Sequence, residues 1–172
     1  VDFKGNDVIV NDTTFDSCDA TNNGGAIYVI GNRTQIMNCN FEECLGRDGG
    51  AIYVDGDDCK LFNSSISRSI SNDDGGAIYW DGDNGYMYNI ICRDNKGISA
   101  WDPLDGKYSS TRGGTICLTG SNVTLTKSSF SLSSAYMDED KDYSKVDGGA
   151  LFITGNNVIV NDTTFFSCDA TN

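Results

Sequence analysis

Short apolar runs, rich in β-branched and aromatic residues, recur at fixed distances from glycine along this chain. Gly-Gly-Ala-Ile begins at Gly24, Gly49 and Gly75, and returns as Gly-Gly-Thr-Ile at Gly113 and Gly-Gly-Ala-Leu at Gly148. Seven residues after each of these comes Gly31, Gly56, Gly82, Gly120 or Gly155, and ten residues further on Phe41, Ile66, Cys92, Phe130 or Phe165. Gly5 and Phe15 fit the same frame. An internal period of about 25 residues marks a solenoid.

Within the unit three strands are legible. The first is Ile27-Tyr28-Val29 and its equivalents, the second Val8-Ile9-Val10 with Val123-Thr124-Leu125 and Val158-Ile159-Val160, and the third ends on the phenylalanine position. Each is bounded by Gly, Asn or Asp, the residues that punctuate strands. In the second strand Val10, Ile36, Leu61, Met87, Leu125 and Val160 share an inward position, while Ile9, Gln35, Lys60 and Tyr86 face out. Period-two alternation makes a half-buried strand. One unit cannot bury that side alone, but stacked copies can. The expected fold is therefore all-β: a right-handed parallel β-helix of about 25 residues and three short strands per coil. The glycines are expected at corners with φ > 0. The column Asp12, Asn38, Asn63, Asn89 and Asp162 is expected to hydrogen-bond from coil to coil. Trp80 is the misfit, since its phase puts an indole inside a narrow core.

Two coils are longer, with inserts at 93–112 and 131–147 that are expected to project together as loops. A second period overlies the first. Gly5 to Asn22 and Gly155 to Asn172 agree at sixteen of eighteen positions, differing only at Asp7/Asn157 and Asp16/Phe166. Residues 1–172 thus read as a single β-helix segment, one 150-residue super-repeat of five coils plus the start of the next. With Val1 first and no capping residues at either end, both termini read as cuts in a longer chain.

Composition narrows the partners. The formal net charge is −13, which repels nucleic-acid phosphates and anionic membranes, and no apolar run is long enough to span a bilayer. Without histidine or a CxxC pair, a zinc site has no basis. No cofactor is expected, and the only metal candidate is Ca²⁺ at the acidic stretch Asp138, Asp140 and Asp142, which departs from the EF-hand pattern at Tyr143 and Gly149. Cys18 and Cys44 occupy equivalent positions in successive coils, within reach of a disulfide; Cys39, Cys59, Cys92 and Cys117 read as small buried residues. Sequons at Asn11, Asn32, Asn63, Asn122 and Asn161 are candidate glycosylation sites. Tyr28, Tyr53, Tyr79, Cys117 and Phe152 align as an outward column, which with Trp101 and Tyr108 of the first insert forms a candidate binding surface.

The Gly-Gly-Ala-Ile repeats with their downstream phenylalanines resemble the repeats of chlamydial polymorphic outer-membrane proteins, with Cys18, Cys44 and Cys168 standing where that pattern has Asn. The fuller string from Gly75 to Gly85 is similar to the adhesin-like surface proteins of methanogenic archaea. The resemblance implies a secreted or cell-surface address and a role in adhesion or surface architecture. The expected function is an extracellular structural or adhesive solenoid, part of a long fibre whose partner is itself, head to tail or in tandem, together with glycans or other cell surfaces. A carbohydrate-binding module without filaments is the alternative. A polysaccharide lyase or hydrolase fits less well, because the carboxylates are scattered over corners and no repeat needs a copied active site; no enzyme activity is expected.

Overall fold

The computed structural model describes residues 1–99, 101–102, 107–137 and 145–171. Among these every regular element is a strand, and the strands stack in three parallel sheets as a β-helix. The first sheet comprises Asp2–Phe3, Ile27–Val29, Ile52–Val54, Ile78–Trp80, Ile116–Leu118 and Leu151–Ile153. Pairing is in register, Ile27 on Ile52, Ile52 on Ile78, Ile78 on Ile116 and Ile116 on Leu151. The expected second and third strands belong to one sheet; in two coils they run together as Lys60–Ser67 and Tyr86–Arg93. The third sheet is made by segments outside the three predicted strands: Leu45–Gly46, Ile70–Ser71, Lys96–Ser99, Ser134–Met137 and Asp169–Thr171.

Corners follow a rule of their own. Left-handed residues fall five apart in each coil, as at Arg33, Asn38 and Glu43, then Asp58, Asn63 and Arg68, then Asn84, Asn89 and Asp94. Among the described glycines, only the first of each pair has positive φ (Gly49, 64°). This corrects the expectation for the rest. At Gly50 the requirement is space, since a Cβ there would lie 2.2 Å from the Gly76 carbonyl oxygen. At Gly56 it would lie 2.2 Å from that of Gly31. Backbones of successive coils meet directly at these two columns.

The core is a set of stacked columns. Ile27, Val29, Ile52, Val54, Ile78, Leu61, Met87 and Leu125 are buried, each worth about 1.5–3 kcal/mol relative to exposure. Trp80 is fully buried among them. Its indole N–H donates to the Gly82 carbonyl at 3.0 Å, and its ring fills the space over Gly85, where an added Cβ would be 2.6 Å from Nε1. Neighbouring coils have Cys59 and Val123 at the Gly85 position, so one glycine makes room for the large side chain. The ends of the two inserts pair with each other, Thr111 on Val146 and Arg112 on Asp147, while Trp101–Asp102 and Lys107–Tyr108 form an antiparallel hairpin.

Candidate functional site

Three surfaces carry chemistry: the outer face of the first sheet with its flanking corner, the side-chain ladders, and the outer face of the second sheet. Ile27 and Val29 point inward, so Tyr28, Tyr53 and Tyr79 point out, half-buried. Their rings stack along the axis, with centroids 5.1 and 5.0 Å apart and the Tyr53–Tyr79 pair inclined by only 2°. The Tyr53 ring therefore has a tyrosine ring on each side of it. Such stacking stabilises the sheet across its strands. Burial raises the Tyr53 and Tyr79 hydroxyls above the usual phenol range; Asp55 adds to it at Tyr53, while at Tyr79 a hydrogen bond with Thr119 opposes it. The column is broken at Cys117, which is fully buried, and resumes at Phe152, over whose ring the Arg112 guanidinium sits 5.4 Å from the centroid. The backbone of Trp101 and Tyr108 lies in the insert hairpin; their side chains lie outside the described residues.

The corner just before the double glycines gathers charge. Carboxylate oxygens of Asp48, Asp73 and Asp74 lie within 4.8 Å of one another. Asp74 is 2% exposed and is gripped by Arg112, whose side chain pairs with its carboxylate and whose backbone N–H donates to Oδ1 at 2.8 Å. Arg47 stands 3.8 Å from Asp73. Burial, then the charges of Asp48 and Asp74, push the Asp73 carboxyl up to about 7, against the pull of Arg47 and Arg112. Two guanidinium groups already supply the positive charge that a cation would bring. Sequence reading missed this cluster, although its signal was present: Asp48, Asp74 and Arg112 all immediately precede a double glycine. The calcium candidates Asp138, Asp140 and Asp142 lie outside the described residues.

Side-chain ladders run along two other corners. Asn63 donates to Asn38 at 3.4 Å, Asn89 to Asn63 at 3.0 Å, and Asn38 to Asn11 rather than to Asp12 at 2.9 Å. A second ladder, unseen in the sequence, runs through backbone amides. Asn6, Asn32, Asp57 and Asp83 each accept from the residue one coil on, Asn32, Asp57, Asp83 and Ser121 respectively. Corner amides without strand partners are satisfied in this way. The ladders divide the sequons. The amide nitrogens of Asn63 and Asn122 are spent on Asn38 and Asn84, and that of Asn11 on Asp12. Asn32 uses only its oxygen in the ladder, and Asn161 lies exposed in the last coil.

On the second sheet the outer face carries Phe62, Tyr86 and Tyr88, with ring centroids 5.7 and 6.3 Å apart, Lys127 over Tyr88 at 5.4 Å, and Ile91 at 55% exposure. This patch was not singled out in the sequence, because only two coils contribute rings to it: Phe62 and Tyr88 share one position of the repeat, while Tyr86 stands two residues earlier, opposite Lys60. All seven cysteines are free thiols. Cys18 and Cys44 stack in adjacent coils as expected, but without the disulfide; Cys39, Cys59, Cys92 and Cys117 are buried. Among the described residues no helix is long and apolar enough to cross a membrane. No protein family, no curated protein and no solved structure matches the chain.

Proposed function

We propose that this chain is a repeating segment of an extracellular structural or adhesive fibre, with copies of its own repeat as the principal partner. One observation carries the reading: a nearly identical motif stands at two levels of one stack, and each copy shows the edge that the other covers. At Gly5 to Asn22, Val10 and Phe15 are covered by Ile36 and Phe41, with Phe15 and Phe41 at 4.9 Å and 4°. At Gly155 to Thr171, Val160 and Phe165 rest on Leu125 and Phe130, and their other side is bare. The bare edge therefore matches a coil of the Gly31 to Gly46 type, and the opposite edge of the first motif matches a coil of the Gly120 to Met137 type. Continuing that match gives a stack that repeats every five coils. The resemblance to surface adhesins supports the address, and the acidic surface supports solubility outside the cell.

A glycan-binding module without filaments is the second reading, and the aromatic patch Phe62, Tyr86 and Tyr88 is the surface that favours it. Electron cryo-microscopy of the native material separates the two. The fibre reading expects filaments advancing about 24 Å per 150 residues, five coils at roughly 4.8 Å each. Isolated short rods would overturn it and leave the glycan module to be tested on arrayed oligosaccharides.

A further inference from the structure

The side-chain columns place sulfur on sulfur at one point in the stack. Pairing of Asp19 with Leu45, Leu45 with Ile70, Ile70 with Lys96, Lys96 with Ser134 and Ser134 with Asp169 puts Cys18, Cys44, Ser69, Asn95, Ser133 and Cys168 in one column. Only Cys18 and Cys44 are cysteine neighbours. Cys39 stacks with Ser64, Cys59 with Thr34, Cys92 with Ile66 and Phe130, and Cys117 with Tyr79 and Phe152. Two other positions of the column cap corner amides, Ser69 accepting from the Cys44 N–H at 3.4 Å and Asn95 from the Ser69 N–H at 2.9 Å.

We propose that Cys18 and Cys44 are a dithiol pair that closes into a disulfide linking adjacent coils, and that Cys168 takes the part of Cys18 wherever a coil of the Cys44 type follows it. The second clause rests on the repeating-fibre reading; the first does not. Stacked residues have Cα atoms about 4.8 Å apart, inside the range that a disulfide spans. Both thiols lie alike, Cys18 Sγ 3.6 Å from the Asp16 carbonyl and Cys44 Sγ 3.5 Å from that of Glu42. Closure needs each to swing off its carbonyl and the two Cβ atoms to draw together by about 1 Å, from the stacking distance of about 4.8 Å to the disulfide mean of about 3.8 Å.

Exposure sets the order of events. Cys18 is half-exposed and Cys44 is 1% exposed, so an oxidising disulfide such as oxidised glutathione meets Cys18 first. The Cys18 thiolate attacks one sulfur of the oxidant and expels one glutathione thiolate. The Cys44 thiolate then attacks the Cys18 sulfur and expels the second, so two protein thiols are oxidised, one glutathione disulfide is reduced, and the two protons end on the released thiols. Burial pushes the Cys44 thiol up to about 11, which slows the second step at neutral pH and quickens it as pH rises.

The reduced, folded chain is incubated with oxidised glutathione, alkylated and mapped by mass spectrometry. A Cys18–Cys44 cross-link is expected, formed about tenfold faster per pH unit between pH 7 and 10, with Cys168 found alkylated or glutathionylated. Cys44→Ser should trap glutathione on Cys18, and circular dichroism checks that this variant keeps its strands. In a chain extended past Asn172 by a second copy of residues 23–47, Cys168 should cross-link as well. Cys18 retaining glutathione while Cys44 is present would overturn the pairing, whatever the microscopy shows. Cross-linked Cys18 and Cys44 in native material without filaments would overturn the fibre reading alone, and with it the role given to Cys168.

Discussion

The two copies of the eighteen-residue motif fold alike and are buried unequally. Val10 is 8% exposed and its counterpart Val160 is 37%; Phe15 is half-buried and Phe165 is 46% exposed. The sequences at these points are identical, so exposure here is a property of the neighbouring coil and not of the residue. The first copy is covered on its C-terminal side by Gln35–Met37 and Asn40–Glu42, and the second on its N-terminal side by Thr124–Thr126 and Ser129–Ser131. A solenoid spreads its stability over such nearest-neighbour contacts. Coils with two neighbours carry most of it.

The largest test of that contrast sets a doubly covered residue against a bare one. Ile52 is wholly buried between Ile27 and Ile78. Ile52→Asp should cost about 4–5 kcal/mol or more, because an unpaired charge enters a closed apolar column, and circular dichroism should show loss of the cooperative melt. Val160→Asp keeps a route to water and should cost about 1 kcal/mol. Similar losses at both positions would mean that the last coil is covered in solution.

A subtler contrast uses one residue in both copies. A Cβ at Gly155 would stand 1.9 Å from the Gly120 carbonyl oxygen, whereas one at Gly5 would meet nothing within 4 Å. Gly155→Ala should destabilise by about 2–3 kcal/mol, as overpacking against backbone does, and Gly5→Ala by under about 0.5 kcal/mol. Chemical denaturation of the two variants reads the difference. If Gly5→Ala proves as costly as Gly155→Ala, another coil lies beneath the first motif in solution, as the fibre reading requires.

What the sequence disclosed follows the same physics. Phe41, Leu61 and Ile52 announced themselves because large inward residues alternate with polar outward ones. The third sheet did not, because its inward residues are Gly46, Ser71, Gly97 and Ala135, while the bulkier Leu45 and Ile70 face out. Space there is short: a Cβ on Gly97 would reach within 2.7 Å of the Thr111 methyl. The corners at Asn38 and Asn63 were legible from residue type, but those at Arg33, Glu43 and Leu132 were not, since nothing in such side chains favours φ > 0. Of the candidate surfaces, the tyrosine column was visible as an alignment, yet the sequence does not say which way a ring turns. The acids before the double glycines mark the Asp48, Asp73 and Asp74 corner in the sequence, but only the stacking register brings Asp48 against the adjacent pair Asp73–Asp74.

That corner yields the most local of these effects. The first motif has the neutral pair Asn22–Asn23 at this point of its coil, whereas the next two coils place Arg47–Asp48 and Asp73–Asp74 there. In the unfolded chain Asp73 releases its proton near pH 4, and in the folded chain at about 7. Between those values the folded state holds the extra proton, so stability falls as pH rises through the window. The destabilising contribution is absent below about pH 4 and complete above about pH 7, where the gap of about three pH units makes it on the order of 4 kcal/mol at most. Asp73→Asn removes the titrating group and should raise stability at pH 8 while changing little at pH 4, flattening the profile between them. The self-repulsion of an acidic surface also weakens the fold as pH rises, but it persists in the variant, and so only the difference between the two profiles belongs to the corner. A difference that stayed constant from pH 4 to pH 8 would mean that Asp73 ionises in the folded chain as it does in the unfolded one, and that Arg47 and Arg112 hold it charged.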